Sequence, residues 1–374
     1  MVQSKYKRSI RAFAQVALIL LIFVESMMGQ NTVKKYLYVA EPGIRNYLEY
    51  GGHGILVYDI ENDYKLVKRI PTGSFDEKGH PSNVKGICVS LATQCVYVST
   101  IKSLMCINLK TDKLVWEKVY EKGCDRMAIS PDGLTIYQSS FENDQWYVVN
   151  ARNGEVINSI FIKSKAHNTI FAPDGKAVYL EGLASSYLTV VNPKDITRNY
   201  VNIGPFSSSI RPFTINGKQS LVFANVNDLL GFEIGDLKSG KMIQRVEIQG
   251  FEKGLIKRHG CPSHGIGLTP DEKELWVADG ANQRMHIFDA TQMPPKQLTS
   301  IALRDQPGWI TFSLDGRYAF PSTGEVIDVA TKKIIHSLSD EKGDIVQSEK
   351  VVEIHFKKDV AVKKGDQFGL GRKY

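Results

Sequence analysis

An all-β, seven-bladed β-propeller of four-stranded antiparallel blades is the fold this sequence predicts, and three observations predict it. A hairpin turn of Ser-Pro-Asp-Gly type recurs at intervals of roughly 40–50 residues, the period of a propeller blade. A strand ending in Asp or Asn recurs seven times. Near the end of the chain a strand-like segment, 350–356, has no partner of its own.

The turns are Ser130-Pro-Asp-Gly133, Ala172-Pro-Asp-Gly175, Thr269-Pro-Asp-Glu272 and Ser313-Leu-Asp-Gly316, with degenerate copies at Ser90-Leu-Ala-Thr93 and Ile215-Asn-Gly-Lys218. Proline presets the first turn dihedral, aspartate bonds back to the backbone, and glycine takes the left-handed position. Each turn therefore joins two antiparallel strands. The strand that follows has an aromatic or β-branched core, as in Val96-Tyr-Val98, Val178-Tyr-Leu180 and Leu275-Trp-Val277. The third strand ends at Asp59, Asn108, Asn150, Asn192, Asp236, Asp289 or Asp328, where the side chain starts another turn into a fourth strand.

The first unit begins at its second strand, near Tyr36, and lacks an innermost one. If 350–356 pairs beside 36–40, the two ends of the chain share one blade and the ring closes without exposed edges. The domains expected are a signal peptide over 1–29, the propeller over 30–356, and a basic, partly disordered tail over 357–374.

The expectation of a leader rests on a basic start followed by the apolar run Ala12–Val24, too short for a comfortable membrane span. Localisation is then secreted or periplasmic, with no membrane span after cleavage. The formal charge of +7 falls to +4 once 1–29 is set aside, because four basic residues and one acid lie there. That ordinary balance argues against a nucleic-acid partner. Five cysteines, an odd number with no CxxC pair, argue against a disulfide framework. Cys88, Cys95 and Cys106 read as small buried hydrophobes, and Cys124 and Cys261 as loop thiols worth testing for reactivity.

In a propeller the loop leading into each innermost strand lies on one rim of the central channel. Those loops place His80, Asn83, Asp125, Arg126, His167, Asn168, Arg211, His264 and Trp309 as the candidate ligand-binding set, with Glu353 and His355 on the closing strand. Histidine, aspartate, arginine and tryptophan together offer charge and stacking surface, which suits a small anionic or carbohydrate-like ligand. A protein partner is the other candidate, and a monomer is expected. No cofactor, metal site or catalytic residue is assigned. No GxSxG elbow, P-loop, Rossmann fingerprint or zincin helix occurs, and the histidines come from different blades with no HxH or HExxH spacing to fix a metal. The turn aspartates Asp132, Asp174, Asp271 and Asp315 are structural.

The SPDG-type turns, followed by Tyr97-Val-Ser-Thr100 or Trp276-Val-Ala-Asp279 and then by a strand ending in Asp289 or its equivalents, resemble the YVTN family of propeller repeats. The resemblance spans nearly all of the chain after the leader. It implies the fold and a protein similar to surface-layer and periplasmic binding propellers, and it carries over no catalytic residue. A non-enzymatic binding protein is the reading favoured. The alternative is a propeller enzyme, a lactonase-like hydrolase or a polysaccharide lyase, using the rim histidines with Arg126 or Arg211.

Overall fold

The computed structural model describes residues 33–196, 200–255 and 258–372. The expected leader therefore lies outside the described residues. The chain forms a seven-bladed propeller, seven antiparallel sheets in which each strand neighbours the next along the chain. The innermost strands are Val84–Ser90, Met127–Ile129, Ala166–Phe171, Ile210–Ile215, Ser263–Leu268, Ile310–Phe312 and Val351–Lys357. One short 3₁₀ turn, Leu48–Tyr50, is the helical content among the described residues.

The turn chemistry read from the sequence builds the blades. In the Ser130 turn the Gly133 N–H donates to the Ser130 carbonyl at 2.8 Å, Gly133 sits at φ 73°, and the Asp132 carboxylate accepts from Leu134 N at 3.0 Å. Glutamine takes the left-handed φ of 53° in both degenerate turns: Gln219 at the glycine position, its N–H donating to the Asn216 carbonyl at 2.9 Å, and Gln94 one residue later in its turn, where Thr93 N donates to the Ser90 hydroxyl at 3.1 Å. Every strand-ending Asp or Asn accepts a backbone N–H two or three residues on, as Asn150 does from Arg152 at 2.9 Å and Asp328 from Thr331 at 2.8 Å. These acids and amides serve the backbone.

Ring closure follows the expected pairing of the two ends. Val351–Lys357 pairs antiparallel with Val33–Glu41, placing Tyr36 opposite Ile354 and Tyr38 opposite Val352. Core then runs between neighbouring blades. Tyr38, Val57, Ile87, Val98, Met105 and Ile354 form one buried cluster spanning the shared blade and the next.

The segment after 356 corrects the expectation of a partly disordered tail. Val360–Lys364 forms a fifth strand on the inner side of the shared blade. It is tied to the neighbouring blade by Gln94, whose side-chain amide exchanges two hydrogen bonds with the Ala361 backbone at 2.8 and 2.9 Å. Residues 365–372 then enter the channel, with Gln367, Phe368 and Leu370 buried. The cause lies in the innermost strands, whose channel-facing edges carry backbone groups with no strand beside them. Gln367 accepts from Ile87 N at 3.1 Å and donates to Met127 O at 2.9 Å. Gly369 O accepts from Leu268 N at 2.9 Å, and Gly371 N donates to Ile215 O at 3.0 Å. A Cβ on Gly369 would stand 2.7 Å from Gly267 Cα, so only glycine lets the segment lie this close to the strand.

A chain ending at Lys364 would leave these edge groups without protein partners and remove Phe368 and Leu370 from the core. Each unpaired buried group costs about 1–3 kcal/mol. We expect such a chain to melt several degrees lower and to be cut faster by protease. Unchanged melting and proteolysis would show that the segment fills the channel without supporting it.

Candidate functional site

At the end of the ring opposite the Ser-Pro-Asp-Gly turns, a cavity of about 300 Å³ occupies the channel mouth. It is lined by lead-in residues such as Asn83, Arg126 and Glu349, and by residues between second and third strands such as Arg45 and Phe141. Antiparallel alternation puts both kinds of loop on one face.

Arg126 is the centre of the site. It precedes the short innermost strand Met127–Ile129, is 2% exposed, and lies over the Trp309 ring at 4.1 Å. Its guanidinium pairs with Glu349 Oε2 and approaches His167 Nε2 at 3.2 Å. Trp309 is itself fixed from below, because its Nε1–H donates to Gln367 O at 2.6 Å. The channel segment therefore sets the ring on which the arginine rests. A desolvated cation over an indole face is worth about 2 kcal/mol.

Two charge networks meet at Arg126. In one, His167 Nδ1 contacts Asp125 Oδ2 at 2.8 Å and Lys85 stands 3.4 Å from Asp125 Oδ1. Burial opposes ionisation of Asp125, but Lys85, His167 and Arg126 outweigh it and hold the carboxyl at about 2. In the other, Glu349 Oε2 takes Lys350 at 2.7 Å as well as Arg126, and Oε1 faces His259 Nδ1 at 3.2 Å. Burial again opposes ionisation, and Lys350, Arg126 and His259 hold Glu349 well below the usual range. His264 is pushed well below its ordinary value by burial first and by His259 next, so its ring is neutral, with Nδ1–H donating to Gly308 O at 2.7 Å.

Behind the rim, Asn168 Nδ2 donates to Glu181 Oε2 at 2.8 Å. Burial raises Glu181 to about 8.

Of the nine residues expected from the sequence, the cavity is lined by Asn83, Arg126, His167, Arg211 and His264. Asp125, Asn168 and Trp309 stand behind them as partners. Trp309 is not a free stacking surface, since Arg126 already covers it. His80 is not brought in. It is exposed and held in a small excursion of its own, where Asp76 accepts from His80 N and Lys78 N at 2.8 Å each. Glu353 and His355 also fall elsewhere, Glu353 accepting from Leu314 N at 2.7 Å beside a turn of the opposite face. Cys124 and Cys261 lie between strands as expected but are buried, and burial lifts the Cys261 thiol to about 12 and the Cys124 thiol well above its ordinary value.

The site also contains residues that the lead-in loops alone did not point to: Arg45, Lys85, Arg258, Glu349 and Lys350. Glu349 and Lys350 precede the closing strand as Arg126 precedes its own, so a register set a few residues earlier on that strand would have found them. Arg45 comes from a loop in the shared blade that has no repeat signature.

No family model matches the chain, and no curated protein matches it. Solved structures do. The dihydro-heme d1 dehydrogenase NirN in complex with DHE is 15% identical over 89% of this chain and 73% of that one, with a TM-score of 0.61. The Cps50 (Swd1) β-propeller domain of Myceliophteria thermophila is 10% identical over 71% of this chain and 88% of that one, with a TM-score of 0.57. At these identities the likeness is one of fold.

Glu181 supplies a pH test. Its folded pKa lies above the ordinary 4.5, so the stability of its protonated form is full below about pH 4.5 and is lost as pH rises towards 8. Glu181→Gln keeps the neutral form at every pH. The variant should melt like wild type at pH 5 and several degrees higher at pH 9, and parallel curves at both would rule out a buried, late-titrating carboxyl.

Proposed function

We propose that this chain is an exported, YVTN-type binding propeller that captures a small anion, of the carboxylate-bearing class, in the channel mouth. The observation that carries this is charge. Six cationic side chains line the cavity, namely Arg45, Lys85, Arg126, Arg211, Arg258 and Lys350, against two carboxylates, Glu142 and Glu349. Several are already committed: Arg258 pairs with Asp305 at 2.9 Å, and Lys350 and Arg126 share Glu349. Arg211 and Arg45 bond neutral oxygens instead, Asn227 Oδ1 at 2.6 Å and Arg258 O at 2.9 Å. Their charge is free for a ligand.

Low dielectric strengthens this field, because the mouth is walled by buried strands and excess positive charge concentrates counter-ions there. Polar atoms around it lack protein partners, among them Asn83 Oδ1, Arg126 Nε and His259 Nε2. Buried groups of that kind are ordinarily satisfied by something. The basic start and apolar run of the leader support export, which N-terminal sequencing of the mature protein checks directly.

The hydrolase or lyase alternative draws on the same residues. Within this geometry His167 is a poor general base, since its Nδ1 is engaged by Asp125 and its Nε2 by Arg126.

Calorimetric titration with galacturonate, citrate and phosphate tests the reading. At least one should bind, with affinity falling as salt rises. Arg211→Ala should weaken it by about 10-fold or more, the worth of one charge-assisted hydrogen bond. Silence with all three anions, or equal affinity in the variant, counts against an anion site at the mouth. Turnover of a uronate or a lactone would replace binding with the enzymatic alternative.

A further inference from the structure

Within the same mouth, three side chains bring metal-binding donor atoms together. His259 comes from the lead-in loop of the sixth blade, His264 from the innermost strand Ser263–Leu268, and Glu349 from the approach to the closing strand. One donor atom from each lies within 4.8 Å of the other two. We propose that His259, His264 and Glu349 form a site for one first-row divalent transition ion, with its remaining positions open to the cation-lined cavity.

The donors are prepared for such an ion. His264 donates from Nδ1 to the Gly308 carbonyl, which makes Nε2 the lone-pair nitrogen and fixes the ring. That is the outer-shell arrangement typical of metal-ligating histidines. Glu349 divides its oxygens, since Arg126 and Lys350 both reach Oε2 and Oε1 is turned to His259. The separation of 3.2 Å between His259 Nδ1 and Glu349 Oε1 already suits two donors on one ion, for which bonds of about 2.0–2.2 Å imply roughly 3.0–3.5 Å. His259 is 8% exposed at its side chain; its Nδ1 faces the Glu349 carboxylate, which favours a proton there in the ion-free chain, and its Nε2 is buried with no protein partner, so the proton passes to Nε2 or is released when an ion takes Nδ1.

The close approach is itself built. A Cβ on Gly308 would stand 2.2 Å from His259 Cε1 and 2.4 Å from Glu349 Oε1. Glycine is therefore required where the imidazole and the carboxylate converge, and its φ is not the reason.

Two imidazoles and one carboxylate with open positions suit zinc or ferrous iron better than calcium or magnesium, which prefer oxygen ligands. Arg126 and Lys350 oppose the added charge. An anionic oxygen on the open positions offsets it, so the ion and the proposed anion would share the mouth and favour each other's binding. The ion site stands on its own donors, whether or not the anion reading holds.

Cobalt is the probe. The full chain, stripped with EDTA and titrated with Co²⁺, should take up one equivalent with visible d–d absorption that Zn²⁺ displaces. His259→Ala, a loop change, and His264→Ala should each weaken Co²⁺ by more than the roughly 10–100-fold typical of losing an outer-shell partner. Gly308→Ala should weaken it too, with circular dichroism confirming that each variant is folded. A folded wild type without d–d absorption overturns the site, as does a His259→Ala chain that binds Co²⁺ undiminished. Galacturonate, citrate and phosphate titrated in turn into the EDTA-stripped chain separate the two readings: heat with any of them but no cobalt uptake leaves the anion site and removes the ion, and cobalt uptake without heat from all three does the reverse.

Discussion

The inner edges of the seven innermost strands are the constraint on which the rest of this structure depends. A closed ring removes edges between blades, but the channel side of an innermost strand has no strand beside it, except where Val360–Lys364 is added to Val351–Lys357. Residues 365–372 supply partners to the strands carrying Ile87, Met127, Ile215 and Leu268. In doing so they place the Gln367 carbonyl under Trp309, and Trp309 under Arg126. A backbone requirement at the bottom of the channel thus becomes the positioning of a guanidinium at its top.

That guanidinium joins Lys85 and Lys350 in deciding which carboxylates can stay ionised there. Asp125 and Glu349 are both buried, at 0% and 6% exposure, where an isolated carboxylate would protonate. Both stay ionised because cations surround them. Glu181 shows the contrary outcome: Asn168 is its hydrogen-bond partner, Arg211 acts on it only at a distance, and burial wins. The mouth is a field of positive charge with two fixed negative points, and its chemistry follows from where those points sit. Removing Arg126 alone would leave Glu349 with less compensation, a change that in buried pairs costs about 3–5 kcal/mol.

Much of the fold was legible because its signals are local. Ser130 to Gly133 or Asp328 to Thr331 make their hydrogen bonds within a few residues, so the residue types carry the geometry with them. Even the turns without proline were readable from their place in the repeat, since Gln219 adopts the position that glycine holds elsewhere and Gln94 a left-handed one a residue later. Ring closure by 350–356 was legible from a missing strand at one end and a spare one at the other. The channel segment was not, because Gln367 bonds to Ile87 and Met127 across 280 and 240 residues, and a lysine- and glycine-rich composition looks the same whether it is solvated or enclosed. At the site, Arg126, His167, Arg211 and His264 followed from the repeat register, whereas His80 was lost to a local Asp76 turn that competes with the rim. Lys85 stands five residues before Ser90, as His167 stands before Ala172 and His264 before Thr269, so the same register reaches it one strand residue beyond the lead-in loop, whereas Arg45 had no repeat signature.

The two faces of the ring use one residue type in opposite ways. On the turn face, Oδ1 of Asp132 and of Asp271 is taken by an N–H group and a hydroxyl two residues away. On the mouth face, Asp125 is held by Lys85 and His167 and Glu349 by Arg126 and His259, all from other blades, with the neighbouring Lys350 added on Glu349. A local bond fixes a turn and is indifferent to the rest of the ring. A bond between blades exists only when every blade is in place, so charges held in that way report on the whole fold. The ionised carboxylates of the mouth, and whatever cation or anion they admit, are consequences of closure, and the chain can present them only after its two ends have met in the shared blade.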